Sequence, residues 1–187
     1  MRAQLLLLLV CFGAGTMHAD TLHFNQIEVK KVSPTQLTLE YRISNYELWR
    51  GLIAPGKTEQ EFFAQISNQP QDTFDKHFAK AVSQLVKQTR VELPSTRKAK
   101  VQQTDLPNGS DARDLLRQSY LLKELTTNIQ PHLVPLVVVV HMRSPEQLQR
   151  VQISAPSLLH PVLIVHGSDR FWLTSQVEKS LLDLYSP

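Results

Sequence analysis

Residues 133–141, Leu-Val-Pro-Leu-Val-Val-Val-Val-His, form a continuous apolar stretch rich in β-branched side chains. β-Branched side chains favour strands, and an unbroken apolar run of this length predicts a strand covered on both faces. A second run at 161–165 predicts another apolar strand, and 170–173 predicts a third after the turn at Gly167. The final third of the chain is therefore built around strands.

Two helix-start patterns lie among these strands. Ser144-Pro145-Glu146 combines an N-cap serine, a proline at the first helical position and an acidic first turn, which predicts a short helix to about residue 153. Ser175 and Glu178 form a capping box, which predicts a last helix. The inward face of that last helix would carry Val177, Leu181 and Leu184. The predicted order of this region is β-α-β-β-α.

This order of elements resembles the carboxyl-terminal half of a thioredoxin-like domain, with Pro161 as the counterpart of the cis-proline of that family. The chain has no C-x-x-C pair, and thiol–disulfide exchange requires a reactive thiolate. The resemblance therefore implies a redox-inactive scaffold. Some exported proteins of conjugation and secretion machineries are similar.

Residues 161–169, Pro-Val-Leu-Ile-Val-His-Gly-Ser-Asp, also resemble the strand and loop that carry the acid of α/β-hydrolases, with Asp169 as that acid. In the same comparison, 135–141 resembles their oxyanion-hole strand. The family requires a serine in a G-x-S-x-G elbow and a histidine after the acid, and this chain has neither. Its other histidines and carboxylates show no metal-ligand or acid-pair spacing. The sequence therefore predicts a protein that is not an enzyme and has no cofactor.

The amino-terminal half predicts a β-hairpin followed by helices. Alternating apolar residues at 22–32 and 36–44 flank Ser33-Pro34-Thr35, a turn signal. Residues 45–56 are expected to be irregular, and 58–66 to be helical. A longer helix is predicted over 73–90, because apolar side chains recur at helical spacing. These side chains are Phe74, Phe78, Val82 and Leu85.

The middle of the chain is more polar. Residues 91–104 are compatible with one strand, and Pro107-Asn108-Gly109 is a strong turn signal. The pattern of 111–125 fits a helix capped by Ser110, and part of it also fits a strand. We favour the helix.

The first 19 residues predict a cleavable signal peptide, with a positive charge at Arg2, an apolar run from Leu5 and a small residue, Ala19, before the cut. Cys11, the single cysteine, would leave with it, so residues 20–187 would form one exported, disulfide-free α+β domain. The apolar run is shorter than the ~20 residues of a membrane span. We therefore expect a periplasmic protein without a membrane anchor.

Net charge argues against nucleic-acid binding. The 20 lysines and arginines less Arg2 leave 19, against 17 acidic residues, which gives a net charge of +2. One basic cluster stands out, Arg97, Lys98 and Lys100, with no aromatic residue between them. Stacking on single-stranded nucleic acid is therefore not expected. The cluster is interpreted as a docking patch for an anionic partner or for lipid headgroups, and the alternative is a solvated loop.

These observations predict a non-enzymatic periplasmic accessory or adaptor of a bacterial envelope assembly, such as a secretion or conjugation system. The alternative is a small-ligand or metal-binding module, with its pocket near the ends of the strands at 133–141 and 161–166. The sequence leaves the oligomeric state open.

Overall fold

The computed structural model describes residues 25–125 and 134–184, so the predicted signal peptide and the first residues of the predicted hairpin lie outside the described residues. Within these ranges the strands are β1 (Asn25–Ser33), β2 (Gln36–Ile43), β3 (Arg90–Glu92), β4 (Lys100–Asp105), β5 (Leu136–Arg143), β6 (Arg150–Ser154), β7 (Val162–His166), β8 (Asp169–Leu173) and β9 (Lys179–Asp183). The helices are α1 (Tyr46–Ile53), α2 (Glu59–Asn68), α3 (Gln71–Gln88) and α4 (Gly109–Leu125), with one 3-10 turn at Ser157–Leu159.

The strands form two sheets. The larger sheet has the order β4-β5-β2-β1-β7-β8, in which only β1 and β7 are parallel neighbours. The smaller sheet has the order β3-β6-β9 and is antiparallel throughout. Together with the helices the sheets make one mixed α+β body, as the sequence predicts.

One face of the larger sheet forms the core. The predicted hairpin is confirmed as β1 and β2, whose alternate residues Ile27, Val29, Leu37, Leu39, Tyr41 and Ile43 are buried. In β5, Val138 and Val140 are fully buried opposite Tyr41 and Leu39, whereas Val137 and Val139 are only partly covered. The prediction that this strand is covered on both faces is therefore wrong, because the helices pack against one face.

Three helices agree with their sequence patterns. The Thr58 side chain and Glu61 form the capping box of α2, and α3 buries the predicted apolar stripe, including Phe74 and Phe78. The segment 111–125 is helical, as favoured. Residues 45–56 are not irregular, because α1 forms there with Asn45 accepting a hydrogen bond from the Leu48 amide.

Aromatic contacts and an arginine clamp join the helices. Trp49 of α1 is buried, with its ring 5.2 Å from that of Phe78, so this tryptophan belongs to the core. The guanidinium of Arg113 in α4 donates hydrogen bonds to the carbonyls of Ile66 and Ser67 and to the Gln71 side chain. It thereby satisfies carbonyls that the end of α2 leaves without intrahelical partners.

The predicted helix at 144–153 is wrong, since this region leads into β6. The Ser144 side chain does accept a hydrogen bond from the Glu146 amide, as an N-cap would. The following residues are instead held against the β1–β2 turn, where the Leu148 amide donates to the carbonyl of Pro34. Tertiary hydrogen bonds have overridden the local helix signal.

The predicted last helix is also wrong, since 179–183 form β9. Ser180, Leu182 and Leu184 point into the core, and Leu181 points outward. The β-α-β-β-α order is therefore absent from the described residues, which after β5 contain strands and one 3-10 turn. The His160–Pro161 peptide bond is cis, but the surrounding order of elements is not thioredoxin-like.

No helix within residues 25–125 and 134–184 is long and apolar enough to cross a membrane.

Candidate docking surface

The predicted basic cluster lies on a tight turn that leads from the smaller sheet to the larger one. We call residues 93–100 the basic turn. The Leu93 amide donates to the Arg97 carbonyl at 2.8 Å, and the Thr96 amide donates to the Leu93 carbonyl at 2.8 Å. Thr96 has a φ of 65°, the left-handed conformation that closes the turn. The backbone of this segment is therefore fixed by its own hydrogen bonds.

The basic turn is also anchored to the body of the protein. Leu93 and Ala99 are buried on either side of its tip. The Ser95 hydroxyl donates a hydrogen bond to the carboxylate of Glu146, which lies in the segment before β6. Consequently the exposed side chains of this turn project from a well-supported base.

The structure places the three predicted cations on the surface of the basic turn. Arg97, Lys98 and Lys100 are all exposed. Lys98 Nζ lies 3.8 Å from Glu92 Oε1, whereas no ion pair joins Arg97 or Lys100 to another described residue. Lys100 lies directly opposite Arg143 in the β4–β5 register, which adds a fourth cation to this edge.

A shallow depression of about 460 Å³ adjoins the basic turn on the outer face of the smaller sheet. Glu92, Gln152 and Leu181 lie in one row across the three strands and therefore share a face. The depression is lined by Glu92, Leu93, Pro94, Thr96, Arg150, Gln152 and Leu181. Its rim includes an exposed apolar side chain, since Leu181 is 59% exposed.

Charged side chains surround this depression. Lys179 Nζ lies 3.3 Å from Glu92 Oε2, and Arg150 Nε lies 2.6 Å from Asp183 Oδ1. The basic turn adds Arg97, Lys98 and Lys100, and the Glu146 carboxylate bonds to Ser95 beside them, so five cations accompany three carboxylates on this surface. The docking surface, meaning the basic turn together with this depression, therefore carries net positive charge around an apolar rim.

Sequence patterns identify the cations of the basic turn but neither the depression nor its cations Arg150 and Lys179. They place Arg150 and Leu181 in helices, with Leu181 on an inward face. A signal for the true position of Leu181 is present in the alternation of Ser180, Leu182 and Leu184, which a strand buries together. Pairing with β6 is needed to choose between the two patterns.

The second pocket of interest lies on the outer face of the larger sheet and has a volume of about 220 Å³. His141 Nε2 lies 2.8 Å from Asp105 Oδ2, and Thr38 Oγ1 lies 3.5 Å from His141 Nδ1. The hydrogen bond from His141 lowers the pKa of Asp105. The His141 and Asp105 side chains are more than two-fifths exposed, whereas Thr38 is buried, so the imidazole–carboxylate pair lies in water above a buried hydroxyl.

The remaining chemical candidates are dispersed. His166 Nδ1 lies 2.9 Å from the Val29 carbonyl, where it bridges β7 and β1. Asp169, the acid of the hydrolase resemblance, is exposed at the β7–β8 turn. In the part of the chain that the structure describes, no group of three histidine, cysteine or carboxylate side chains is placed to hold a metal ion.

Comparison with known proteins gives no match: no protein-family model fits the chain, and neither the curated proteins nor the solved structures include a significantly similar one.

Proposed function

We propose that this protein is a non-enzymatic accessory or adaptor of a bacterial envelope assembly, and that it captures its protein partner through the docking surface. The observation that carries the proposal is the juxtaposition of the basic turn with the depression. Cations accelerate encounter with an acidic partner, and an apolar rim next to them supplies area that a partner can bury.

The form of the depression supports a protein partner over a small molecule. Small-molecule sites typically enclose most of the ligand surface. Here Leu181 is 59% exposed, and Pro94 and Thr96 are exposed as well. A surface of this kind matches a chain segment that lies across it. The anchoring of the basic turn also reduces the entropy that binding would otherwise cost.

The second candidate function is that of a small-ligand-binding module, and the observation behind it is the pocket beside His141. This pocket lies near the end of the strand where the sequence pattern places a ligand site. Its ~220 Å³ is below the roughly 300–1,000 Å³ of ordinary ligand pockets. Ligand-dependent thermal stabilisation that is lost in His141→Ala, with the docking surface intact, would favour this candidate.

Cross-linking in intact cells, followed by quantitative mass spectrometry, tests the adaptor proposal. The variant carries Arg97→Glu, Lys98→Glu and Lys100→Glu. The matched control carries Lys76→Glu, Lys80→Glu and Lys87→Glu, three exposed lysines of α3. Both proteins change the net charge by the same amount.

We expect a defined set of envelope proteins with the wild type and the control, and a loss of that set with the basic-turn variant. Thermal melting of the purified variants should show that both are folded. Equal capture by the two variants, or no envelope protein with the wild type, would contradict the proposal.

A further inference from the structure

A row of side chains crosses the outer face of the larger sheet. Strand register places Trp172 of β8 opposite Leu163 of β7. Leu163 lies beside Gln26 of β1, which in turn is opposite Arg42 of β2. Residues that are paired in this way share one face of a sheet. From Trp172 to Arg42 the row spans three strand spacings, or about 14 Å.

Trp172 is the aromatic side chain of this row, and it is 43% exposed. The next residue of β8, Leu173, is fully buried, so Trp172 points away from the core. The face of an indole ring is apolar and attracts partly positive C–H groups. A pyranose sugar has C–H groups on the faces of its ring and polar groups around the edge. Trp172 is therefore suited to stack on a sugar.

Four charged side chains next to one another on this face neutralise each other. Glu28 and Glu40 are directly opposite in the β1–β2 register, an unfavourable arrangement for like charges. Lys30 Nζ lies 3.3 Å from Glu28 Oε2 and 2.9 Å from Glu40 Oε2. Arg42 Nη2 lies 2.6 Å from Glu40 Oε1 and 4.0 Å from Glu28 Oε2. The centre of the face therefore holds two cations and two carboxylates.

This charge balance favours an uncharged, polar ligand over a charged partner. Because the ion pairs already order these side chains, less side-chain entropy is lost on binding. The Arg42 side chain is 45% exposed, and a guanidinium has five N–H donors in a fixed plane. Each carboxylate has several acceptor sites. These groups can bond to the hydroxyl and acetamido groups of a sugar chain that begins on Trp172.

We propose that the outer face of the larger sheet binds the linear, β-linked glycan strands of the cell wall. Trp172 stacks on one sugar unit, and Gln26 and Arg42 bond to polar groups of the units that follow along the row. The predicted export would bring the protein to this polymer. The inference goes beyond the adaptor proposal, because it concerns a different sheet and a different ligand.

Soluble saccharides test the proposal without any change to the protein. The probe is chitotetraose, an extended, β-linked chain of N-acetylated sugars. The comparison is maltotetraose, an α-linked chain of equal length that coils and cannot follow the row. Isothermal titration calorimetry measures binding of both to the purified full chain. Because Trp49 is buried, a blue shift of tryptophan fluorescence on binding reports Trp172. We expect binding and a blue shift with chitotetraose only.

Protein variants locate the site. Trp172→Ala removes the stacking ring and should weaken binding of chitotetraose about tenfold, whereas Trp172→Phe keeps an aromatic ring and should retain most of the affinity. Arg42→Gln should weaken binding several-fold, because it removes hydrogen-bond donors. Its matched control is Arg117→Gln, which removes an arginine of similar exposure from an ion pair on α4 and should leave binding unchanged.

Co-sedimentation with protein-free peptidoglycan sacculi tests the natural polymer. We expect the wild-type protein and Trp172→Phe to sediment with the sacculi, and a folded Trp172→Ala protein to stay in solution. Absence of binding of the wild type to chitotetraose and sacculi would overturn the proposal. Equal binding of maltotetraose, or equal binding by wild type and Trp172→Ala, would overturn it as well. Should Trp172→Ala not fold, the two saccharides and Arg42→Gln still decide.

The glycan site and the adaptor function fail in different ways. If the wild-type protein captures envelope proteins in cells but binds neither chitotetraose nor sacculi, the adaptor function stands and the glycan site is wrong. If the protein binds both glycans through Trp172 but captures no envelope protein, the glycan site stands and the adaptor function is wrong.

Discussion

Lys179 Nζ lies 3.3 Å from Glu92 Oε2, so one ion pair spans the smaller sheet from β9 to β3. The two residues belong to its opposite edge strands, with β6 between them. The same carboxylate group lies 3.8 Å from Lys98 Nζ. Glu92 therefore engages two cations of the docking surface and reduces the positive charge that they offer to a partner.

Replacement of Glu92 by glutamine should strengthen capture of an acidic protein partner by the docking surface. The change frees Lys98 and Lys179 and removes a negative charge from the depression. The stability cost should stay within about 1 kcal/mol, because both ion pairs are partly exposed. Cross-linking of the purified protein in an envelope extract at low and high salt, read by quantitative mass spectrometry, measures the gain, which should shrink as salt screens the charges.

Glu28→Gln is the matched control for this prediction. Glu28 also pairs with two cations, but on the outer face of the larger sheet. Its replacement makes the same change in net charge and should leave partner capture unaltered. Equal gains from the two variants would mean that net charge, and not the docking surface, governs binding.

Leucines 181 and 182 should differ sharply when each is replaced by alanine. Leu182 is 1% exposed and Leu181 is 59% exposed. We expect Leu182→Ala to lower the free energy of unfolding by about 2–5 kcal/mol, and Leu181→Ala to change it by about 0.5 kcal/mol or less. Urea unfolding of both variants measures this. The opposite order would contradict the assignment of 179–183 to a strand with Leu182 inward.

Arg113→Ala should destabilise the helical layer by about 2–3 kcal/mol. Its guanidinium makes charge-assisted hydrogen bonds to two carbonyls and one side chain at the junction of α2 and α3. Lysine cannot reproduce this forked geometry, so Arg113→Lys should rescue little. Arg117→Ala is the comparison, since Arg117 makes an exposed ion pair with Asp114. Similar losses for the two alanine variants in urea would argue against a clamp.

Acid should remove the stabilisation that Glu40 provides. Glu40 lies 2.9 Å from Lys30 and 2.6 Å from Arg42, and the hydrogen bond from Lys30 lowers the pKa of its carboxyl. A lowered pKa in the folded state stabilises the protein above the ordinary glutamate value of about 4.3, and this contribution is lost as the pH falls further.

Glu40→Gln should therefore cost about 0.5–1 kcal/mol at neutral pH. The difference from the wild type should stay constant down to about pH 5 and shrink below that. Urea unfolding across this range measures it. A difference that grows as the pH falls would contradict this ionic role for Glu40.

Elements that bury a regular stripe of their own residues were predictable from the sequence. Apolar residues recur at helical spacing in α3 and at alternate positions in the β1–β2 hairpin, and the structure confirms both elements. Residues 144–153 and 175–184 carry real helix-start signals, yet they lead into strands because β6 pairs with β3 and β9. That pairing joins segments tens of residues apart, which local patterns do not encode.

The docking surface, too, could be predicted only in part from the sequence. The exposure of Arg97, Lys98 and Lys100 was predictable, because they lie in a polar, basic segment next to turn residues. The depression depends on Leu181 and Arg150, whose neighbours across the sheet are fixed by strand register. Predicting the depression required the strand pairing of the smaller sheet, whereas the sequence pattern of 175–184 favoured a helix.

Site-specific photo-crosslinking in living cells tests the central claim most directly. A photoreactive amino acid replaces Leu181 or Pro94 at the depression, and Gln84 on the exposed surface of α3 serves as the control position. The account predicts a discrete adduct with one envelope protein from the two depression positions, lost when Arg97 and Lys100 are changed to glutamate, and none from position 84. No adduct from the depression, or the same adduct from position 84, would contradict it.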